Sequence, residues 1–309
     1  MHIPVMLDEC LEGLITDPSG IYVDGTLGNG GHATEILKRL EAGGMLIGFD
    51  RDIDAIERVQ EKLKSGVGKQ VKLVHDNYAN MAAQLDRLGI PKVNGLLLDL
   101  GVSSFQLDLA ERGFSFQHDG PIDMRMDQTR GQTAAELVNT AGEQELADII
   151  FRYGEERSSR RIARAIVEAR AKVQIETTAQ LAGIIERAKG GRRGKKTHPA
   201  TKTFQALRMA VNEELASIEQ VLEQMIDRVV EGGRIVILTF HSLEDRLVKR
   251  FFIRHVPREE SLQQGGVRLH CEEPPVKWVW KKPVTASEKE QSENPRSRSA
   301  KLRAVELRG

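Results

Sequence analysis

Asp24-Gly25-Thr26-Leu27-Gly28-Asn29-Gly30-Gly31-His32-Ala33 is the stretch that decides how this chain is read. A short β-rich run, Ile21-Tyr22-Val23, precedes it. Residues 32–40 follow, with Ile36, Leu37 and Leu40 at helical spacing. Open α/β sheets bind their ligands at such a strand-to-helix turn. Glycine there allows positive φ and a close approach of backbone to ligand. The helix N-terminus beyond it favours a carboxylate or a phosphate. A tight turn that needs glycine only for its own geometry would look the same.

The rhythm continues outward from the turn. Residues 45–49 form a second apolar run ending at Asp50, and residues 52–63 carry Ile53, Ile56, Val59 and Leu63 on one helical side. A third strand is expected at 71–74, a helix at 81–88, and a fourth strand at 93–98 ending at Asp99. Apolar strands alternating with helices imply right-handed βαβ units and a doubly wound parallel sheet. From Gln106 to about Ala200 no strand is evident, and helices are expected at 133–139, 144–151, 158–171 and 178–188. We therefore expect residues 107–200 to be an all-α insertion in an α/β domain made of residues 1–106 and 201–309. A helical stretch over 202–230, broken near Glu213 and ended by Gly232-Gly233, leads to a fifth strand at 234–240. Residues 276–280 and 301–307 alternate as an antiparallel edge pair, with a polar, mobile loop expected over 288–298.

Composition narrows the class. With 309 residues, the chain exceeds what one core usually fills, so a second unit is expected. At 29% charged and 40% hydrophobic residues it reads as an ordinary soluble protein. No apolar run approaches the roughly 20 residues that a bilayer span needs. The opening residues do not read as a signal peptide. Cys10 and Cys271, far apart, make neither a disulfide framework nor a Cys-rich zinc site, which fits a cytoplasmic protein. Basic and acidic residues balance at 45 each, but they are segregated. Residues 1–106 hold 10 basic and 15 acidic side chains, whereas residues 152–200 hold 13 and 5, a local charge of +8. A polyanion could meet the chain there.

The strand ends suggest the ligand. Asp50 lies 22 residues after Gly28, where a carboxylate can accept hydrogen bonds from ribose hydroxyls, or simply cap the next helix. Gly28-x-Gly30-x-x-Ala33 can be read as a dinucleotide fingerprint, implying NAD. S-adenosylmethionine is the competitor. Asp24 would repel a pyrophosphate but could pair with a methionine ammonium. His75-Asp76-Asn77-Tyr78 offers polar groups and an aromatic face to an adenine. Asp99-Leu100-Gly101-Val102-Ser103-Ser104-Phe105-Gln106 supplies acceptors at the fourth strand end. Asp99, Ser103 and His241 are the catalytic candidates, although a lone histidine is commonly structural. No second His or Cys stands at ligand spacing from His241, so no metal is expected. Arg152, Arg157, Arg160, Arg161, Arg164 and Arg170 cluster on one expected helix and its entry, with Glu155, Glu156 and Glu168 as possible partners. Arg192, Arg193, Lys195, Lys196 and Lys202 lie in a glycine-containing run free of acidic residues and are the RNA-binding candidates.

These motifs also carry a resemblance. The opening His2-Ile3-Pro4-Val5-Met6-Leu7, the turn from Asp24 to His32, and the stretch from Asp99 to Ser104 are three of its segments. Arg152-Tyr153-Gly154-Glu155-Glu156, the stretch from His198 to Arg208, and Phe240-His241-Ser242-Leu243-Glu244-Asp245 complete it. In order and content they resemble the ribosomal RNA small subunit methyltransferase H (RsmH, or MraW) family. The resemblance implies a class I S-adenosylmethionine-dependent methyltransferase fold with a helical insertion, and N4-methylation of a cytidine in the decoding region of bacterial 16S rRNA. It implies that Gly30, Gly31, His32, Asp50, Tyr78, Asp99 and Gln106 contact S-adenosylmethionine. The partner would be 16S rRNA in the small ribosomal subunit or its precursor, with no membrane; a homodimer is left open. Tyr78 stands where the family usually has Phe, which keeps the ring. The Asp/Ser/Asn-Pro-Pro-aromatic tetrapeptide of many amino-methyltransferases is absent, and the segment from Asp99 to Ser104 stands in its place.

Overall fold

The structure is a computed structural model that describes residues 4–64, 70–192, 197–256, 259–261, 267–269 and 275–308. The chain divides into two compact units, one of residues 1–101 with 215–309 and one of residues 102–214. In chain order, the first unit opens with α1 (Leu7–Leu14), β1 (Ile21–Asp24), α2 (Gly31–Arg39), β2 (Met45–Asp50), α3 (Ile53–Lys62), β3 (Val71–His75), α4 (Met81–Arg87) and β4 (Val93–Asp99). The second holds α5 (Ser104–Asp108), α6 (Ala134–Thr140), α7 (Glu143–Gly154), α8 (Ser159–Arg170), α9 (Thr178–Ala188) and α10 (Thr201–Val211). The chain then returns through α11 (Glu214–Met225), β5 (Val229–Thr239), α12 (Ser242–His255), β6 (Glu259–Ser261), β7 (Val267–Leu269), β8 (Val276–Trp278), α13 (Glu288–Glu293) and β9 (Lys301–Leu307).

The main sheet runs β3-β2-β1-β4-β5-β9-β8. Its first five strands are parallel, and β9 is antiparallel to both β5 and β8. Strand alternation explains why both faces are covered. Tyr22, Leu46, Leu97, Val236 and Leu238 point to one face, against α1, α2 and α3. Val23, Ile47, Phe49, Leu96, Leu98, Ile235 and Ile237 point to the other, against α4, α11 and α12. Neighbouring residues thus go to opposite cores, as the period of 2 requires. All five parallel strands end at the same edge, and Asp24, Asp50 and Asp99 close three neighbouring ones.

The second unit has its own core, in which Ile150, Ile162, Ile166, Leu181, Ile185, Phe204 and Leu207 are buried together. Its boundaries at 101/102 and 214/215 differ from the 106/107 and 200/201 read from sequence. The reason is packing: Phe204 and Leu207 of α10, with Val102 and Leu107, join this core. Asn212 fixes the end of α10, donating to the carbonyls of Met124 and Arg208 and accepting from the Met126 amide. Glu213 then turns the chain at φ 50° into α11, close to the break expected near that residue.

Two expectations need correction. Gly232-Gly233 does not end a helix. The helix stops at Met225, and β5 runs through both glycines beside a register shift between Val93 and Gly95. A side chain at Gly233 would place its Cβ 2.6 Å from the Asn94 carbonyl oxygen, so glycine is needed for close strand approach. Residues 288–298 are not a loop. Ser287 caps α13, and Asn294 caps a short 3₁₀ turn, Pro295–Ser299.

Tyr22 shows what the sheet's buried polar groups contribute. Its hydroxyl accepts from the amides of Thr16 and Asp17 and donates to the Asp17 carbonyl, at 2.9–3.0 Å. Tyr22→Phe removes these part-buried hydrogen bonds and should cost about 0.5–1.5 kcal/mol. Denaturant unfolding should show a lower midpoint at unchanged slope; an unchanged midpoint would mean that water replaces the hydroxyl.

Candidate active site

The turn after β1 is built by its own backbone. Gly28 and Gly30 take φ of 51° and 70°, which glycine adopts without strain. Gly30 is the residue before α2 and, having no side chain, offers that helix start no side-chain cap. The Gly28 amide donates to Asp50 Oδ2 at 2.8 Å, and the Asp52 amide donates to Asp50 Oδ1 at 2.9 Å. Asp50 therefore ties the turn to β2 as well as standing where a ribose acceptor is expected. Asp52, not Asp50, caps α3 through the Asp54 amide.

Asp24 and Asp99 have less support. Asp24 Oδ1 accepts from the Thr26 amide at 3.1 Å, while buried Asp24 Oδ2 has no partner among the described residues. The Thr26 hydroxyl accepts from the Asp99 amide at 2.6 Å, which fixes the Asp99 backbone beside the turn. Asp99 Oδ2 lies 3.5 Å from His32 Nδ1, and buried Asp99 Oδ1 is unpartnered among the described residues. His32 is itself buried, and its Nε2 lies 3.1 Å from the Val5 carbonyl oxygen. A carbonyl only accepts, so Nε2 carries the proton and Nδ1 is turned toward Asp99.

This environment raises the pKa values of the three acids. Burial pushes Asp99 up to about 8, with the charges of Asp24 and Glu244 adding to it. Burial likewise raises Asp24 to about 7, against the Thr26 amide, which opposes it. Asp50 rises to about 6 through burial, opposed by the amides of Asp52 and Gly28. Three acids that resist ionisation at one edge form a site waiting for positive charge. A pyrophosphate would be repelled there, whereas the ammonium and sulfonium of S-adenosylmethionine would be attracted. The unpartnered oxygens of Asp24 and Asp99 and the start of α2 fit an amino acid with a cationic body and a carboxylate.

The remaining sequence candidates fall into separate places. Tyr78 opens a short 3₁₀ turn after β3 and is half-buried against the core. Asp76 and Asn77, suggested as adenine partners, are held by the fold. Asp76 accepts from Asn80 and Gln84, and Asn77 donates to Ser217. His241 caps α12: its Nδ1 accepts from the Glu244 amide at 3.3 Å, and Nε2 lies 3.0 Å from Glu244 Oε1. The Glu244 carboxylate in turn accepts from the Phe240 amide. A side chain at Gly101 would lie 3.6 Å from the Phe240 ring. In the second unit, Ser103 and Gln106 form a reciprocal capping box at the start of α5. Gly31 lies under Pro4, whose ring stands 2.4 Å from where a Cβ would be.

Among the RNA-binding candidates, Arg192 is exposed, and Lys202 is exposed with its ammonium donating to the Glu155 carbonyl at 3.1 Å. Arg193, Lys195 and Lys196 lie outside the described residues, as do His2, Ile3 and Cys271. Sequence reading missed the Val5–His32–Asp99 chain and the Thr26 hydroxyl. Neither has a motif of its own, because each depends on which loops the sheet edge brings together.

The raised acids have a consequence for stability. A carboxyl whose pKa is higher folded than unfolded holds its proton more tightly in the fold. Its contribution is complete below about pH 4 and is lost as pH rises through the folded values of about 6, 7 and 8. The melting temperature of the cofactor-free protein should therefore fall across that window, and Asp99→Asn should flatten the upper part. A melting temperature that rises through it would contradict the raised pKa values of these buried acids.

Known proteins resemble this chain over nearly its whole length. The sequence profile described as the MraW methylase family matches residues 1–308. The chain is 52% identical over 307 residues to "Ribosomal RNA small subunit methyltransferase H" of Geotalea uraniireducens, covering 99% of this chain and 98% of that one. It is 47% identical over 313 residues to the protein of the same name from Nitrosomonas eutropha, covering 99% and 97%. Among solved structures, an rRNA methylase from Streptococcus thermophilus aligns at a TM-score of 0.43 and 11% identity over 98% of this chain and 94% of that one, too distant to argue from. The parallel β3-β2-β1-β4-β5 half, the antiparallel β9-β8 end and the glycine turn after β1 make this the class I methyltransferase fold. By its profile match over residues 1–308, this chain belongs to the MraW methylase family.

Proposed function

We propose that this chain uses S-adenosylmethionine to methylate N4 of a cytidine in the decoding region of 16S rRNA. The observation that carries the reading is the pair of unpartnered buried oxygens, Asp24 Oδ2 and Asp99 Oδ1, at the strand-end edge beside the open start of α2. The printed names of the relatives supply the substrate class, small-subunit rRNA. The resemblance set out above supplies the cytidine.

The bound cofactor supplies an electrophilic methyl group. The chain's own residues do the rest. Asp24 and Asp99 attract its positive charge, and Asp50 stands at the ribose position. The amides opening α2 receive its carboxylate, and Tyr78 offers a face to its base. A cytosine amino nitrogen is a poor nucleophile, because its lone pair is delocalised into the ring. An acceptor for one N–H turns that lone pair out of the ring plane, and Asp99 Oδ1 is an acceptor without a competing partner. His32 Nδ1 faces the other oxygen of Asp99 at 3.5 Å. A positive cofactor nearby lowers Asp99 from about 8, so the carboxylate is ionised in the loaded site and can take the proton released after transfer. Phe240, beside Gly101, provides an apolar wall for a cytosine that has left its stack. Ser103 and His241 remain candidates, but the structure gives the Ser103 hydroxyl and His241 Nδ1 capping duties.

Asp99→Asn keeps the size of the side chain and removes the base. Transfer of a tritiated methyl group to small-subunit rRNA should fall by about 10²–10³-fold while the melting profile stays cooperative. Digestion of the wild-type product should yield N4-methylcytidine by mass spectrometry. Undiminished transfer by the variant would remove Asp99 from the reaction, and label on another nucleoside would overturn the substrate assignment.

A further inference from the structure

The second unit carries exposed arginines on α7 and α8, and two of the three acids beside them in sequence pair elsewhere. Arg152 lies on the last turns of α7, Arg157 follows in the connection, and Arg160 and Arg161 open α8. All four are exposed. In sequence, Glu155, Glu156 and Glu168 looked able to neutralise them. The structure gives Glu156 and Glu168 other partners. Glu156 pairs with Lys189 and also accepts from the Ser158 amide, while Glu168 pairs with Arg164. Among the described residues, Arg152, Arg157, Arg160 and Arg161 have no ion pair and no hydrogen bond from their side chains.

Helical geometry sets the ridge facing outward. On α8, Ser159, Ile162, Ala163 and Ile166 are buried at spacings of three and four. Arg160, Arg161 and Arg164 therefore share the opposite arc. Four exposed guanidinium groups without an ion pair among the described residues give these helices a positive surface that an anion can meet. Beside it in sequence stands Phe151, which is 58% exposed and one of three large hydrophobics exposed among the described residues. Arginines next to an exposed aromatic ring are the pairing that holds single-stranded nucleic acid: the cations meet phosphates and the ring stacks on a base.

We infer that the α7–α8 arginine ridge, with Phe151, is a docking surface for a single-stranded segment of the RNA substrate. The inference rests on the rRNA methylation reading above and adds a binding surface to it. It differs from the glycine-containing run at 192–202, whose Lys189 neighbour is already paired with Glu156. Phosphate contacts from the ridge give affinity and orientation, not sequence choice.

The test is a salt titration of binding to an unmodified, single-stranded small-subunit rRNA fragment, with S-adenosylmethionine binding and melting followed on the same proteins. With Arg152, Arg157, Arg160 and Arg161 all changed to Gln, the slope of log K against log salt should become shallower by about 3. Changing the same four to Lys should keep the slope, because a phosphate needs only the charge. Phe151→Ala should weaken binding roughly 10-fold with the slope unchanged, since stacking releases no counterions. Cofactor binding should be intact throughout. If the wild type binds cofactor but no RNA, the rRNA reading falls and this surface with it. If the wild type binds RNA and the Gln variant keeps its slope, only this surface is overturned. A Gln variant that loses an acidic protein partner while binding RNA normally would overturn it as well.

Discussion

Burying carboxylates without a cation is the constraint around which the first unit is arranged. Parallel strands all end at one edge, so a residue type repeated at the strand ends is gathered into one place. Here that residue is Asp, at positions 24, 50 and 99. Three acids together in a half-dry setting cannot all be ionised cheaply. The fold moderates the cost with backbone amides on Asp50 and Asp24, and among the described residues one oxygen of Asp24 and one of Asp99 have no partner. Such a deficit fits a site kept ready for a ligand better than one kept for stability.

The surroundings hold that edge in place. The Thr26 side chain links the glycine turn to β4, and Asp50 links the same turn to β2. His32 connects Asp99 to the Val5 carbonyl, so the segment before α1 becomes part of the site. Glu244 and His241 close the end of β5 by capping α12. Apart from the His32–Asp99 contact, these links run from side chains to backbone groups. The second unit contributes a separate property, a positively charged surface with two of the three acids beside it in sequence paired elsewhere.

Much of this was legible in the sequence, for identifiable reasons. Strand alternation and the acids closing β1, β2 and β4 are local patterns, and they placed the sheet and its ligand edge. The helices of the second unit were equally plain, since Thr133 and Thr177 open two of them with capping boxes. What could not be read depends on partners distant in sequence. Gly232-Gly233 resembled a helix end, but cross-strand contact with Asn94 makes it part of β5. The polar run at 288–298 lacked an apolar stripe, yet caps organise it. Asp76 and Asn77 looked available for a ligand until Asn80, Gln84 and Ser217 occupied them. The arginines around α8 had Glu155, Glu156 and Glu168 as possible partners in sequence, and of these Glu156 pairs with Lys189 instead.

The central claim is that Asp24 and Asp99 hold protons until a cationic cofactor displaces them. Calorimetric titration near neutral pH, in two buffers of different ionisation enthalpy, counts those protons directly. With folded values of about 7 and about 8, S-adenosylmethionine should release protons on binding, and S-adenosylhomocysteine, which lacks the sulfonium charge, should release fewer. Binding of S-adenosylmethionine with the same heat in both buffers, or tighter binding of NAD, would contradict the account.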